Sequence, residues 1–311
     1  MYFAFDCLSP EFAIKTISAL STLLDVHRGK PLSIFVLIDG AFDEDFLTKV
    51  FSTDLNRISL YEGTPLKDFG KSSLFLVKIE MQEARSTFWM ARLIDASRNR
   101  PMWSLIVAAV DMNNLSKHLA PFLIARSDDS LEWPLRWGDA RVLPHFLEEL
   151  DPKLISVLLE PIYGWFAPAR DGNLLSWRGQ GRSEYEVAKY EKLPLDDIAF
   201  EMILEKSEPD MVVSQIYDRQ PGLLKTLLAS ECHRRVMQHL KIADRFDMRQ
   251  PDVRLHFSTM ALFLRKGFVD LPAMKIVLAN VKKGLDYMNE IRSLDDSFWD
   301  EASVKLDKSL F

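Results

Sequence analysis

The chain has 311 residues, 48% of them hydrophobic, enough to bury one large core or two modest ones. A formal net charge of −6 and an isoelectric point near 5.6 exclude a nucleic-acid backbone as the main partner, because that binding needs a clustered basic face and none is visible. Only Cys7 and Cys232 are present, which excludes a disulfide framework or a thiolate zinc site and fits a reducing cytosol. The opening Met1-Tyr2-Phe3-Ala4-Phe5-Asp6 lacks a basic region followed by an apolar run and a cleavage site. No apolar stretch reaches about 18 residues, so the expectation is a soluble cytoplasmic protein with no membrane partner.

In chain order, Ser9-Pro10-Glu11 reads as a helix start, with Ser9 as N-cap and Pro10 in the first turn. Ile14, Ile17, Leu20, Leu23 and Leu24 continue it to a break at Gly29-Lys30-Pro31. The run Leu32 to Ile38 predicts a strand covered on both faces, leaving through Asp39-Gly40-Ala41. Asp43-Glu44-Asp45 suits the positive end of a helix reaching about Phe51. Further strands are predicted at Ile58–Tyr61, Leu74–Ile79 and Trp103–Val110, with a helix around Phe88–Ala96 between the last two and a short helix from Asn113 to Leu119 after Asp111. Ser127-Asp128-Asp129-Ser130 turns one hairpin and Asp171-Gly172 another, on either side of a helical segment, Ala140 to Leu159, broken at Asp151-Pro152.

The composition shifts near Gly179-Gln180-Gly181-Arg182-Ser183, which reads as a linker. Beyond it lie helix formers, with predicted helices near Asp196–Lys206, Met211–Tyr217, Gly222–Arg245, Pro251–Arg265 and Pro272–Glu290. The tail pair Phe298-Trp299 is expected to dock on this lobe. The fold class expected is therefore an α/β N-terminal lobe, a mixed sheet with flanking helices over residues 1–180, plus an all-α C-terminal lobe over 181–311.

The stretch with the most chemistry is Leu135-Arg136-Trp137-Gly138-Asp139-Ala140-Arg141-Val142-Leu143, an apolar segment carrying two arginines and an aspartate where a strand gives way to a helix. Guanidinium groups beside a core need partners, so Arg136 and Arg141 are expected to form a fork-to-carboxylate network around Asp139, which is first of all a structural salt bridge.

Catalytic patterns are wanting. The histidines His27, His118, His145, His233, His239 and His256 have no metal-ligand spacing, and His233 and His239, six apart, do not share a helix face. There is no Gly-x-Ser-x-Gly elbow, neither cysteine has a nucleophile's signature, and Gly179-Gln180-Gly181 does not open a dinucleotide loop. One enzyme-like feature survives: Asp39 and Asp111 each follow a buried strand and could together hold Mg²⁺ for a phosphohydrolase or nucleotidyltransferase. Each is also placed to cap the next helix, which is the preferred reading.

The order Leu37-Ile38-Asp39-Gly40-Ala41, then Leu60-Tyr61-Glu62-Gly63 through Leu74-Phe75-Leu76-Val77, then Arg136-x-x-Asp139-x-Arg141-Val142-Leu143, resembles the effector chaperones, or adaptors, of bacterial type VI secretion systems, the DUF4123-type family. The likeness continues through Leu150-Asp151-Pro152, Pro161 and Trp165 to Asp171-Gly172, and more faintly to Ala243, Phe257, Gly267-Phe268 and Pro272. Where that family's central segment reads Arg-Phe-Tyr-Asp-Pro-Arg-Val-Leu, this chain keeps the charged trio, with Trp137-Gly138 for the aromatic pair and Ala140 for the proline. The resemblance implies a non-enzymatic cytoplasmic protein without metal or cofactor. Its partners would be a cognate secreted toxin, the effector, and the spike (VgrG-type) protein onto which the toxin is loaded.

On that reading the lobe organised by Asp39, Arg136, Asp139 and Arg141 makes or supports the contact surface, and the helical lobe offers a groove to the cargo or the spike. Arg141 is the expected direct contact, with Arg136 and Asp139 holding the scaffold. The rivals are the Mg²⁺ enzyme on Asp39 and Asp111, and a structural component that associates with itself without cargo.

Overall fold

The computed structural model describes residues 2–51, 56–185 and 191–303. Its first helix, α1 (Pro10–Val26), starts where the capping signal places it: the Ser9 hydroxyl oxygen accepts from the Phe12 amide at 3.3 Å, and Pro10 sits where no backbone N–H is needed. There follow β1 (Ser33–Asp39), α2 (Phe46–Val50), β2 (Arg57–Ser59), β3 (Leu74–Ile79), α3 (Met81–Ala84), α4 (Thr87–Ser97), β4 (Trp103–Ala108) and α5 (Met112–Leu119). Next come a hairpin of β5 (Ile124–Arg126) and β6 (Glu132–Pro134), α6 (Leu143–Glu149), α7 (Pro152–Leu158), and a second hairpin of β7 (Ile162–Pro168) and β8 (Leu174–Arg178).

Six strands form one sheet in the order β2-β3-β1-β4-β7-β8, with every neighbouring pair antiparallel. Side chains alternate across β1. Ile34, Val36 and Ile38 join a core with Phe12 and Leu20 of α1 and Trp89 and Leu93 of α4, while Phe35 and Leu37 are just as buried on the opposite face. That second face is closed in part by aromatics: Trp165 of β7 lies 5.9 Å, centroid to centroid, from Trp137 and donates its indole N–H to Ser104 Oγ at 2.9 Å. Each such fully buried large side chain contributes roughly 1.5–3 kcal/mol of apolar burial. The continuous apolar runs thus report that both faces are covered; they carry no information on strand direction.

The helical C-terminal region contains α8 (Asp197–Arg219), α9 (Ala229–Arg245), α10 (Pro251–Phe263), α11 (Pro272–Lys282), α12 (Tyr287–Arg292) and α13 (Asp296–Ala302). Before it, a strand the composition does not announce, β9 (Leu193–Pro194), runs parallel to β5 and completes a three-stranded sheet with β6. Two helices expected on either side of Pro209 are one, α8, because a proline removes a single ladder bond and the turn is held from outside. Arg254, buried in α10, donates from Nε to Glu208 Oε1 and from a terminal nitrogen to Glu208 Oε2, each at 2.5 Å, and to Asp244 Oδ1 at 2.6 Å. The single helix expected over Pro272–Glu290 is two, broken at Gly284, whose φ of +93° suits glycine alone. Phe298 is buried and Trp299 packs on the same core, so the aromatic tail is docked.

The chain divides into two compact units, Phe5–Lys206 and Met1–Ala4 with Ser207–Phe311. This division falls inside α8, beyond the composition change near residue 180. The segment expected as a linker there is packed: Gly181 donates to the Ile162 carbonyl at 3.1 Å and Arg182 to the Glu160 carbonyl at 2.9 Å. A Cβ on Gly179 would fall 2.1 Å from the Leu159 carbonyl oxygen, so the glycine is there for close approach rather than for freedom. No helix among the described residues is long and apolar enough to cross a membrane.

Candidate functional site

The central strand β1 ends at Asp39, where three tethers converge. The Asp39 amide donates to the Met102 carbonyl, the Gly40 amide donates to the Ser73 carbonyl, both at 2.9 Å, and Asp39 Oδ1 accepts from the Ala41 amide at 3.1 Å to start a 3₁₀ turn over Gly40–Phe42. The segment between β6 and α6 crosses this strand end. It is held by Ala140, whose amide donates to the Pro101 carbonyl at 2.8 Å, and by Trp137, whose indole donates to the Phe122 carbonyl at 2.5 Å. Gly138 makes the crossing possible: a Cβ there would stand 2.9 Å from both the amide nitrogen and Cβ of Asp39 and 2.7 Å from Leu74 Cδ1. The Trp137-Gly138 pair therefore has a steric reason, with the indole filling the space beside Trp165 and Phe146.

The four charged residues singled out in the sequence meet here as two ion pairs rather than one network around Asp139. Arg136 Nε donates to Asp39 Oδ2 at 2.8 Å. Arg141 binds Asp139 with two prongs, Nε to Oδ1 at 3.0 Å and a terminal nitrogen to Oδ2 at 2.7 Å, and its amide also donates to Oδ1 at 3.0 Å. Phe42, which the sequence does not single out, lies under both guanidinium groups, with the Arg136 Cζ 4.7 Å and the Arg141 Cζ 5.6 Å from the ring centroid. Tyr61, quoted above only as part of a strand and of the resemblance motif Leu60-Tyr61-Glu62-Gly63, is a second neighbour. Burial, helped by the negative charge of Asp39, pushes its phenol up to about 12, so it stays protonated.

Burial sorts the roles. The side chains of Asp39 and Asp139 are 5% and 2% exposed, Arg141 is 16% exposed and Arg136 is 41% exposed. Arg136, not Arg141, is therefore the charged group that faces outward; Arg141 is consumed by its fork on Asp139. Burial raises the Asp39 carboxyl above its ordinary value, against the pull of Arg136 and the Ala41 amide. Burial alone would lower Arg136, but the hydrogen bond and charge of Asp39 outweigh it and raise the guanidinium further, so it remains a cation. Its two terminal nitrogens make no hydrogen bond among the described residues. The cluster thus locks a crossing loop to the sheet and presents one half-exposed arginine braced on an aromatic ring.

The pairing of Asp39 with Asp111 around a metal ion is overturned by the strand directions. β1 and β4 are antiparallel neighbours, with Ile38 opposite Trp103 and Ser33 opposite Ala108. Their carboxyl ends lie at opposite ends of the sheet, about 20 Å apart at roughly 3.4 Å per residue. Asp39 starts the 3₁₀ turn, and Asp111 caps α5 by accepting from the Asn114 amide at 2.9 Å, so both carry out the capping role. Among the described residues, no group of three histidine, cysteine or acidic side chains is placed to hold a metal ion.

Neither a curated protein nor a solved structure matches the chain. Residues 34–156 match a family described as "Domain of unknown function (DUF4123)", a stretch covering less than half of the chain. The match begins in β1 and ends in α7, and so takes in both ion pairs, Phe42, Tyr61 and the crossing segment that Gly138 allows.

Proposed function

We propose that this chain is a non-catalytic adaptor of a type VI secretion system, which binds one toxic effector in the cytoplasm and helps load it onto the spike protein. The observation that carries the reading is that the DUF4123 match and the motif resemblance to type VI adaptors fall on the same residues, and that these residues build the locked strand end. The geometry is compatible with a binding role. Asp39, Asp139 and Arg141 are spent on holding one another, and what is offered outward is the Arg136 guanidinium on Phe42, an arrangement of the kind that anchors protein interfaces. Arg136 takes the contact role, Asp39 positions it, and Asp139 with Arg141 supports the loop.

Deleting the gene in its host and measuring which proteins reach the culture medium tests this reading. The expected result is loss of one effector from the medium, with that effector reduced or stranded in the cytoplasm while the remaining secreted components persist. Unchanged delivery of every effector overturns the proposal.

A further inference from the structure

Away from the ion-pair cluster, the Phe5–Lys206 unit carries an open apolar groove of about 950 Å³ between α1 and α4, lined by Leu8, Ala13, Ile14, Phe88, Ala91 and Ile94. Ile14 is 61% and Phe88 is 72% exposed, at the lip of this groove. Large side chains left this open beside an apolar trough mark a surface for another molecule. Its long walls are the two helices, with Cys7, Leu8 and Ser9 at one edge and no strand of either sheet among the lining residues, so it receives side chains rather than extending a sheet. A third helix laid along the trough, with anchors at i, i+3 or i+4, and i+7, fits this shape.

One end of the groove continues into a polar pocket of about 390 Å³, and the two share Asp95 and Arg98. The charged groups around that pocket are Lys49, Arg92, Arg98 and Arg100 against Asp43 and Asp95. Asp43 is already taken by Lys49 and Arg100. Arg92 and Arg98 make no ion pair among the described residues, so this end is cationic although the chain as a whole carries −6. Arg98 holds its position at φ +53° and ψ −117°, backbone that glycine adopts freely and other residues rarely do.

We propose that this groove docks an amphipathic helix of the carried protein, apolar face in the α1/α4 trough and acidic residues at the end that meets Arg92 and Arg98. The assignment of the helix to a carried protein rests on the adaptor reading; the chemistry of the helix rests on the groove alone. The charges select the occupant and its direction, and the apolar trough supplies the burial.

The test uses the full chain and a synthetic amphipathic peptide of about 15 residues, or four helical turns, with leucines at helical spacing and glutamates clustered at one end. Cys7 is exposed in the groove wall and Cys232 is buried, so the rate of iodoacetamide alkylation reads occupancy at one site. The expected result is binding that slows alkylation of Cys7, at least tenfold weaker binding when the glutamates are replaced by lysines, and loss of binding in Phe88→Asp. The combined Arg92→Glu and Arg98→Glu variant reverses the preference toward the lysine peptide, a gain that misfolding cannot produce. Equal binding of acidic, basic and scrambled peptides, or full binding by Phe88→Asp, overturns the proposal. So does a dimer of the chain that Phe88→Asp dissolves, which assigns the groove to a second copy. Cargo capture at wild-type level by Phe88→Asp removes the groove and leaves the adaptor reading standing. Peptide binding without capture of any cargo removes the adaptor reading and leaves an acidic-helix site without that owner.

Discussion

Gly138 is the residue on which the candidate site turns, because the crossing segment touches the backbone of Asp39 where even a methyl group has no room. Gly138→Ala is expected to destabilise the chain by about 1–3 kcal/mol, the usual cost of overpacking a site that cannot relax. Urea unfolding measures it, and a loss below a few tenths of that would show the crossing to be looser than the contacts imply. The two ion pairs separate in the same experiment. Asp139→Ala strands a mostly buried Arg141 and removes the acceptor of its amide, for an expected loss of about 3 kcal/mol or more. Arg136→Ala would leave the buried Asp39 without its cation, so Arg136→Lys, which keeps that cation, is the variant expected to cost about 1 kcal/mol or less while impairing partner binding. Equal losses would contradict the division of roles between scaffold and contact. The charged trio was legible in the sequence because charge inside an apolar segment is conspicuous. The pairing was not, since Asp39 lies 97 residues from Arg136 and nothing local links them. Phe42 gave no signal, because a lone aromatic after a strand has many ordinary uses, and Tyr61 entered only as part of the motif Leu60-Tyr61-Glu62-Gly63, with no link to Asp39.

At the scale of elements, the caps and apolar runs were read correctly where the cause is local: Ser9 on α1, Asp111 on α5, the span of β3, and β1 and β4 apart from one or two residues at their ends. What local patterns could not show is direction. An apolar run records cover on both faces, and the antiparallel order that places Asp39 and Asp111 at opposite ends of the sheet depends on how the crossovers pack. Continuity across Pro209 was hidden for a similar reason, its support coming from Arg254 on a distant helix. In α9, Glu231 in the first turn accepts hydrogen bonds from Arg234 and Arg235 and lies 3.5 Å from Lys266. Burial pushes its carboxyl up, but the bonds from Arg234 and Arg235 and the charge of Lys266 prevail and hold it at about 2. A lowered carboxylate contributes stability that is complete above its ordinary value near 4.5 and is lost as the pH falls toward 2. Glu231→Gln is therefore expected to lower stability by roughly 1 kcal/mol at neutral pH, with the gap from wild type closing between about pH 4.5 and 2. Thermal unfolding across that range checks it; a gap that does not narrow would mean that Glu231 acts through packing alone.

For the whole molecule, composition foretold an α/β part followed by a helical part, and the architecture agrees, with a six-stranded antiparallel sheet and flanking helices ahead of a helical C-terminal region. The change in composition near residue 180 marks the end of the large sheet at β8, whereas the compact unit continues to Lys206, because β9 joins the three-stranded sheet through β5 and the first half of α8 falls in the same unit. Two residues of strand are too few to alter composition, so that extension could not be read beforehand.

The adaptor account makes its most direct claim about association. Co-expression with the proteins encoded beside this gene, affinity capture, and size-exclusion chromatography at about 0.15 M and 0.5 M salt test it, because exposed ion pairs alone weaken with screening while apolar burial does not. The account predicts a stable complex with one effector or spike protein that survives both salts and is weakened about tenfold by Arg136→Lys, which keeps a cation for the buried Asp39 but loses the planar group over Phe42, in a chain whose unfolding midpoint stays near that of wild type. No complex with any neighbouring product at either salt would contradict it.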